Sequence, residues 1–169
     1  MASFEDFVYR YAEKNTVTEE KLIEWETEMG IKIPQQYREF LLFFKDGGVF
    51  LRQSAYFPLG DYYGDGREIH KRTSFFFTTL RRKDKPAFDL AWQFSTTREG
   101  ILDWLLPFTN DAAGGYICIA HKGKNKGKIY YWDDDYYAYD HPELEIEPRK
   151  FLASSFKEFV EKIQFEEDE

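Results

Sequence analysis

Residues Leu22 to Gly48 read LIEWETEMGIKIPQQYREFLLFFKDGG, and their order of stops and starts decides the fold at this end of the chain. Thr18 is placed to cap a helix, and Glu19 and Glu20 fall in its first turn, where the helix dipole favours acids. Leu22, Trp25, Glu26 and Met29 share one face at helical spacing, and Ile23 widens it. Gly30 suits the left-handed position after a helix end. Pro34 suits the opening turn of the next helix, where its missing N–H has no partner to lose. Tyr37, Phe40, Leu41 and Phe44 then recur at i, i+3, i+4 and i+7. Asp46-Gly47-Gly48 is a stop. The pattern predicts helices over 18–30 and 34–45, packed as a hairpin into a core.

Working outward, Phe4, Phe7, Val8 and Tyr11 share a helical face, which predicts an opening helix over 3–14. Val49–Leu51 and Ala55–Leu59 read as short strands around a turn at Arg52-Gln53-Ser54, and 60–66 as a loop. Residues 67–82 carry both signals: Thr73 to Thr79 is β-rich, while Ile69, Thr73, Phe76 and Leu80 suit a helix, the reading preferred here. Phe88–Phe94 reads as a strand and 97–105 as a short helix broken by Pro107. Tyr116–Ala120 and Lys128–Trp132 are the clearest strands, joined by the connection His121 to Gly127. Residues 133–142 form an acidic, tyrosine-rich loop. Ser155 with Glu158 three residues on forms a capping box for a last helix, whose apolar face is Phe156, Phe159, Val160 and Ile163, with a frayed tail over 166–169.

Leu22-Ile23-x-x-Glu26, Gly30-Ile31-x-Ile33-Pro34-x-x-Tyr37-x-x-Phe40-Leu41 and Asp46-Gly47-Gly48 together resemble the start of the SUKH superfamily, which includes yeast cell-wall-assembly regulators and many bacterial immunity proteins. Family members usually have Leu-Pro at the hinge and Asn-Gly-Gly at the stop, so Ile33 and Asp46 are mild departures. Further on, Leu106-Pro107-Phe108, Gly114 to Ile119, Gly127 to Asp133 and Ile146 through Phe159 also resemble the family, whereas Gly60 to Trp104 matches none of its motifs. The resemblance implies an α+β fold, with terminal helices packed on a curved, mostly antiparallel sheet over a single domain, 1–169. It implies no enzyme and no cofactor, but a protein that binds and neutralises a cognate secreted toxin, often a nuclease. An intracellular regulatory scaffold remains as an alternative, ranked second because this chain is nearly all domain. A small-ligand-binding module of the same fold is the other.

Composition agrees with a folded binding protein. The 169 residues are 43% hydrophobic and 20% aromatic, with 17 Phe and 12 Tyr, more than a core of this size needs. Some aromatics should therefore serve a surface. Lys+Arg is 23 against Asp+Glu 31, for a net charge of −8, which disfavours direct nucleic-acid binding and suits a basic protein partner. Solubility alone would also account for that charge. Cys118 is the single cysteine, so neither an internal disulfide nor a cysteine metal cluster can form. MASFEDFVYR has acids where a signal peptide carries basic and apolar residues, and no stretch approaches the ~18 apolar residues of a membrane span. A cytoplasmic protein without membrane contact is expected.

No stretch carries a decisive chemical motif. Asp61 to Gly66 departs from a calcium loop at Tyr63 and Arg72, where oxygen ligands are required. Asp133-Asp134-Asp135 would converge poorly on a metal, because alternate strand residues face opposite ways. Lys122, Lys124, Lys126 and Lys128 lack the spacing of a phosphate loop and read as a solvated hairpin that discourages edge pairing. His70, His121 and His141 are scattered. What stands out is the pairing of carboxylates with tyrosines: Asp61, Tyr62, Tyr63 and Asp65 in one loop, and Asp133, Asp134, Asp135, Tyr136 and Tyr137 in another. Tyrosine offers rigid contact area with a polar tip, and the acids suit Arg and Lys of a partner. These nine residues are the candidate partner-binding set, on the condition that the two loops share one rim.

Overall fold

The structure is a computed structural model, and it describes residues 8–10, 17–43, 49–60, 66–76, 90, 94, 104–110, 115–133 and 149–165. Helix α1 spans Glu19–Met29. Thr18 caps it by accepting the Lys21 N–H at 3.3 Å, and Gly30 closes it at φ 74° with its N–H on the Glu26 carbonyl. Helix α2, Gln35–Phe43, opens on Pro34, whose carbonyl accepts from the Arg38 N–H at 2.9 Å. Tyr37, Phe40 and Leu41 are buried as the spacing requires, while Phe44 and the Asp46-Gly47-Gly48 stop lie outside the described residues.

The strands are β1 Val8–Arg10, β2 Val49–Gly60, β3 Ile69–Phe76, β4 Leu105–Asn110, β5 Gly115–Ala120, β6 Ile129–Asp133, β7 Arg149–Ala153 and β8 Gln164–Phe165, with helix α3, Phe156–Lys162, between the last two. They form one antiparallel sheet in the order β1 to β7, with β8 pairing to β2 beside β1. The α+β class and the antiparallel sheet are as the sequence implied.

The sheet is strongly curved. Phe57 of β2 and Tyr131 of β6 have ring centroids 6.4 Å apart. Four strand steps separate them in the sheet order, which in a flat sheet would be about 19 Å. Inside this curve lies the main core, where Leu106, Phe108, Ile117, Ile119, Ile129 and Tyr131 meet the three helices. The alternate residues Leu105, Cys118, Ala120, Tyr130 and Trp132 are buried together on the opposite face, in a second, smaller cluster. Burial on both faces explains why β4 to β6 read as nearly continuous apolar runs.

Several local expectations are corrected. Residues 8–10 are a strand rather than part of a helix over 3–14, because Val8, Tyr9 and Arg10 pair with Leu51, Phe50 and Val49. The anticipated turn at 52–54 is absorbed into one continuous strand, and its irregularity survives as a register shift between Phe50 and Ala55. Ile69 to Phe76 is strand, not helix: with β2 alongside, the β-branched and aromatic residues overrode the helical spacing. Leu90 and Phe94 are helical rather than extended, and both are buried; Phe94 sets its ring edge against Trp25 at 6.1 Å. Leu105 begins a strand instead of ending a helix, and Pro107 sits at a shift in the β4–β5 register. Strand β8 had no sequence signal, and the tail 166–169 lies outside the described residues.

The capping box forms with a shift of one residue. Ser155 accepts the Glu158 N–H at 3.1 Å, but the Glu158 carboxylate takes the Ser154 N–H and hydroxyl rather than reaching Ser155. Lys162 joins it from one turn on, at 2.9 Å. Between α1 and α2, buried Glu26 accepts the Ile33 N–H at 2.9 Å and pairs with Arg38 at 2.5 Å, while Arg38 also pairs with Glu19.

Two predictions follow from these contacts. Glu26→Ala leaves the Ile33 N–H without its acceptor and the mostly buried Arg38 with exposed Glu19 as its remaining partner, and should cost about 3 kcal/mol in urea unfolding. A loss well under about 1 kcal/mol would mark the pair as no stronger than a surface ion pair. The Ser154 hydroxyl first, then Lys162 and the Ser154 N–H, hold the Glu158 carboxyl down at about 2. An unfolded glutamate titrates near ~4.3, so this contribution is complete above that pH and disappears as pH falls towards 2. Glu158→Gln should accordingly lower the Tm at pH 7, with the gap to the native chain closing as acidification proceeds through that window.

Candidate functional site

Strand direction places the loops. Neighbouring strands run antiparallel throughout, so successive connections from β2 onward alternate between the two ends of the sheet. The chain leaves β2 at Gly60 and re-enters β3 at Ile69; it leaves β6 at Asp133 and re-enters β7 at Arg149. Both departures are at the same end. Curvature then brings the two anchor points towards each other, since Pro58, Leu59 and Gly60 of β2 and Lys150, Phe151 and Leu152 of β7 line one groove of about 500 Å³. Glu68 and, from the helix α3 side, Glu161, Lys162 and Gln164 complete it.

Of the nine candidate residues, Asp133 is the last residue of β6, paired with Gly115. Asp61, Tyr62, Tyr63, Asp65, Asp134, Asp135, Tyr136 and Tyr137 lie outside the described residues, between anchors that share one end of the sheet. Sequence reasoning did not single out the groove residues between those anchors. Phe151 is 50% exposed on an edge strand, and its ring meets Tyr130, which in turn meets Trp104, at 5.8 and 5.2 Å. An apolar residue inside Arg149-Lys150-Phe151-Leu152-Ala153 gives no hint of that exposure, because only the curl of the sheet decides which edge is left open.

The lysine hairpin is at the other end. Gly123 and Gly127 take φ of 81° and 89°, and the Gly127 N–H closes on the Ala120 carbonyl at 2.8 Å. Lys122, Lys124 and Lys126 are exposed, and Lys128 bonds Asn125 Oδ1 at 3.2 Å. Among the described residues the basic turn and the departures of the acidic loops are thus separated by the length of β6. Also among the described residues, no group of three or more His, Cys, Asp or Glu is arranged to hold a metal, and no helix is long and apolar enough to cross a membrane.

A family model described as SMI1 / KNR4 family (SUKH-1) matches residues 16–162. That span runs from the cap of α1 to the end of α3, and the chain belongs to this family. Comparison with individually curated proteins found no match.

Cys118 is fully buried in β5, and burial pushes its thiol well above the usual range. A thiol reagent such as Ellman's should fail to label the native chain at pH 8 and label one thiol per chain in denaturant. Rapid labelling without denaturant would show that the second cluster opens readily.

Proposed function

We propose that this protein is an immunity protein, which binds a cognate secreted bacterial toxin in the cytoplasm and neutralises it by protein–protein contact. Membership of the SMI1/KNR4 family (SUKH-1) is the observation that carries this reading, since many bacterial members of the superfamily the chain resembles act in that way. The net charge of −8 and the shared end of the two Asp/Tyr loop anchors are consistent with it. A nuclease is the toxin class that fits best. Its surface is basic because it holds phosphates, so an acidic partner is steered towards it and can cover its cleft with aromatic anchors. On this reading the role is binding and not catalysis. It needs no cofactor and no direct contact with nucleic acid or membrane.

The test is rescue. A candidate cognate toxin domain, sought in the genes neighbouring this one, is expressed in a susceptible cell, with and without the chain, and then with Asp133, Asp134, Tyr136 and Tyr137 all changed to Ala in a variant verified as folded. The native chain should restore growth. The variant should fail, with binding weakened roughly a hundredfold or more, as expected when aromatic and charged anchors are removed together. Rescue by the variant would keep the function and move the interface elsewhere. No rescue and no binding, with the toxin active, would overturn the immunity reading for that pair and favour the regulatory scaffold.

A further inference from the structure

We propose that the lysine hairpin between β5 and β6 is a second contact surface, which takes a short acidic segment of a protein partner. It lies at the opposite end of the sheet from the departures of the Asp/Tyr loops, and it does not depend on the immunity reading.

Three observations point this way. First, these lysines answer no need of the fold. Strands β5 and β6 both lie inside the sheet order, flanked by β4 and β7, so a turn between them guards no edge. The expected role of discouraging edge pairing therefore falls away. Nor does solubility call for them, since the chain carries a net charge of −8 and each lysine reduces it.

Second, positive charge is gathered and held at this end. Lys122, Lys124, Lys126 and Lys128 alternate with Gly123, Asn125 and Gly127, with no acid among them. Lys124 and Lys126 are exposed and have no ion pair among the described residues. The turn is fixed by the Gly127 N–H on the Ala120 carbonyl at 2.8 Å, the Lys128 N–H on the Asn125 carbonyl at 3.0 Å and the Lys126 N–H on the Gly123 carbonyl at 3.2 Å. A platform already rigid loses little freedom on binding. Ile129 pairs with Ala153, so the hairpin and the chain leading into α3 leave the sheet side by side. Exposed Lys157 follows in the first turn of α3, where the helix dipole gives a cation no support. Its N–H donates to Gln36 Oε1 at 2.9 Å, which brings the first turn of α2 to the same place. Glu158, the acid in that turn of α3, is already taken by Ser154 and Lys162.

Third, charge and composition select the occupant. Residues 122–128 hold no aromatic ring on which a base could stack and no apolar side chain to enter a membrane. A nucleic-acid duplex or an anionic membrane also presents its charge over a wide face, and so meets the repulsion of the whole chain at −8. A short acidic segment meets the lysines alone. Asp133, at the far end of β6, is about 17 Å along the strand from Lys128. That is twice the Debye length of about 8 Å at physiological ionic strength, so the acidic end is screened from such a segment. Clustered Asp and Glu on a protein are the complement of this surface.

The experiment selects random peptides displayed on phage against the full chain at about 0.15 M salt. A synthetic peptide of the enriched sequence is then titrated by fluorescence anisotropy. Enriched peptides should carry clustered Asp and Glu. Lys124→Gln with Lys126→Gln and Lys157→Gln alters exposed side chains only, so this triple variant should keep its circular dichroism spectrum and bind at least tenfold more weakly. Gly127→Ala keeps every charge but sets a Cβ at φ 89°, and should weaken binding by about threefold or more, which a diffuse charge effect would not do. If Gly127→Ala fails to fold, the triple variant decides the matter. A short DNA duplex and phosphatidylserine vesicles, titrated in parallel, should bind more weakly than the peptide. The proposal is overturned if no acidic peptide is enriched, if the triple variant or a folded Gly127→Ala binds like the native chain, or if the duplex or the vesicles bind more tightly. Absence of peptide binding beside intact toxin rescue removes the lysine surface alone, and failed rescue beside intact peptide binding removes the immunity reading alone.

Discussion

The ring of Tyr37 is the contact on which the rest of the structure depends. It stacks on Phe40 at 5.7 Å within α2 and meets Phe108 of β4 and Phe156 of α3, both at 5.3 Å. Phe108 and Phe156 also touch each other at 5.4 Å. One side chain therefore ties the opening helical pair, the middle of the sheet and the closing helix together. Its hydroxyl donates to the Phe108 carbonyl at 3.4 Å, and burial pushes the ionisation of that hydroxyl well above the usual tyrosine range. Aromatic pairs in stacked or edge-to-face geometry stabilise by about 0.5–1.5 kcal/mol per pair beyond the area they bury. The family's matched segments lie far apart in the chain, and this cluster is where they meet.

The curl of the sheet follows from the same packing. Phe159 of α3 touches both Phe108 and Phe57, at 5.6 Å each, so the helix draws β2 towards the middle of the sheet. Helix α3 is only seven residues long, yet the chain passes from β7 through it to β8 beside β2. Seven residues rise about 10 Å, too little to cross a flat sheet of this width. The short helix and the closed curve thus require each other. The groove they leave is lined by Pro58, Leu59 and Gly60 on one side and by Lys150, Phe151 and Leu152 on the other, and it adjoins the anchors of both acidic segments.

Legibility in the sequence tracked how local the deciding interactions were. Thr18, Gly30, Pro34 and Ser155 marked helix ends because a cap is settled within about four residues. The hairpin around Lys122 to Lys128 was legible for the same reason, as two glycines in a short connection define its turn. Ile69 to Phe76 misled because helical spacing and β-branched content conflicted there, and pairing with β2 resolved it. Val8 to Arg10 misled because a three-residue strand has no periodicity of its own and exists only through its partner. For the site, the sequence singled out the two Asp/Tyr loops but gave no sign of Phe151, Glu68 or Glu161, which belong together only once distant strands approach.

By itself, then, the sequence determined the capped helices, the central hairpin, the net acidity and the family resemblance. Each of these is written in residues close together or in simple counts. Only the tertiary structure decided that the sheet curls, that both acidic segments depart from one end, that the lysine hairpin lies at the other, and that β7 ends the sheet order among the described residues. Those features depend on pairing and packing between residues as far apart in the chain as Ala55 and Phe165 or Tyr37 and Phe156, and an order of residue types does not encode such distances until the backbone has been closed around a core.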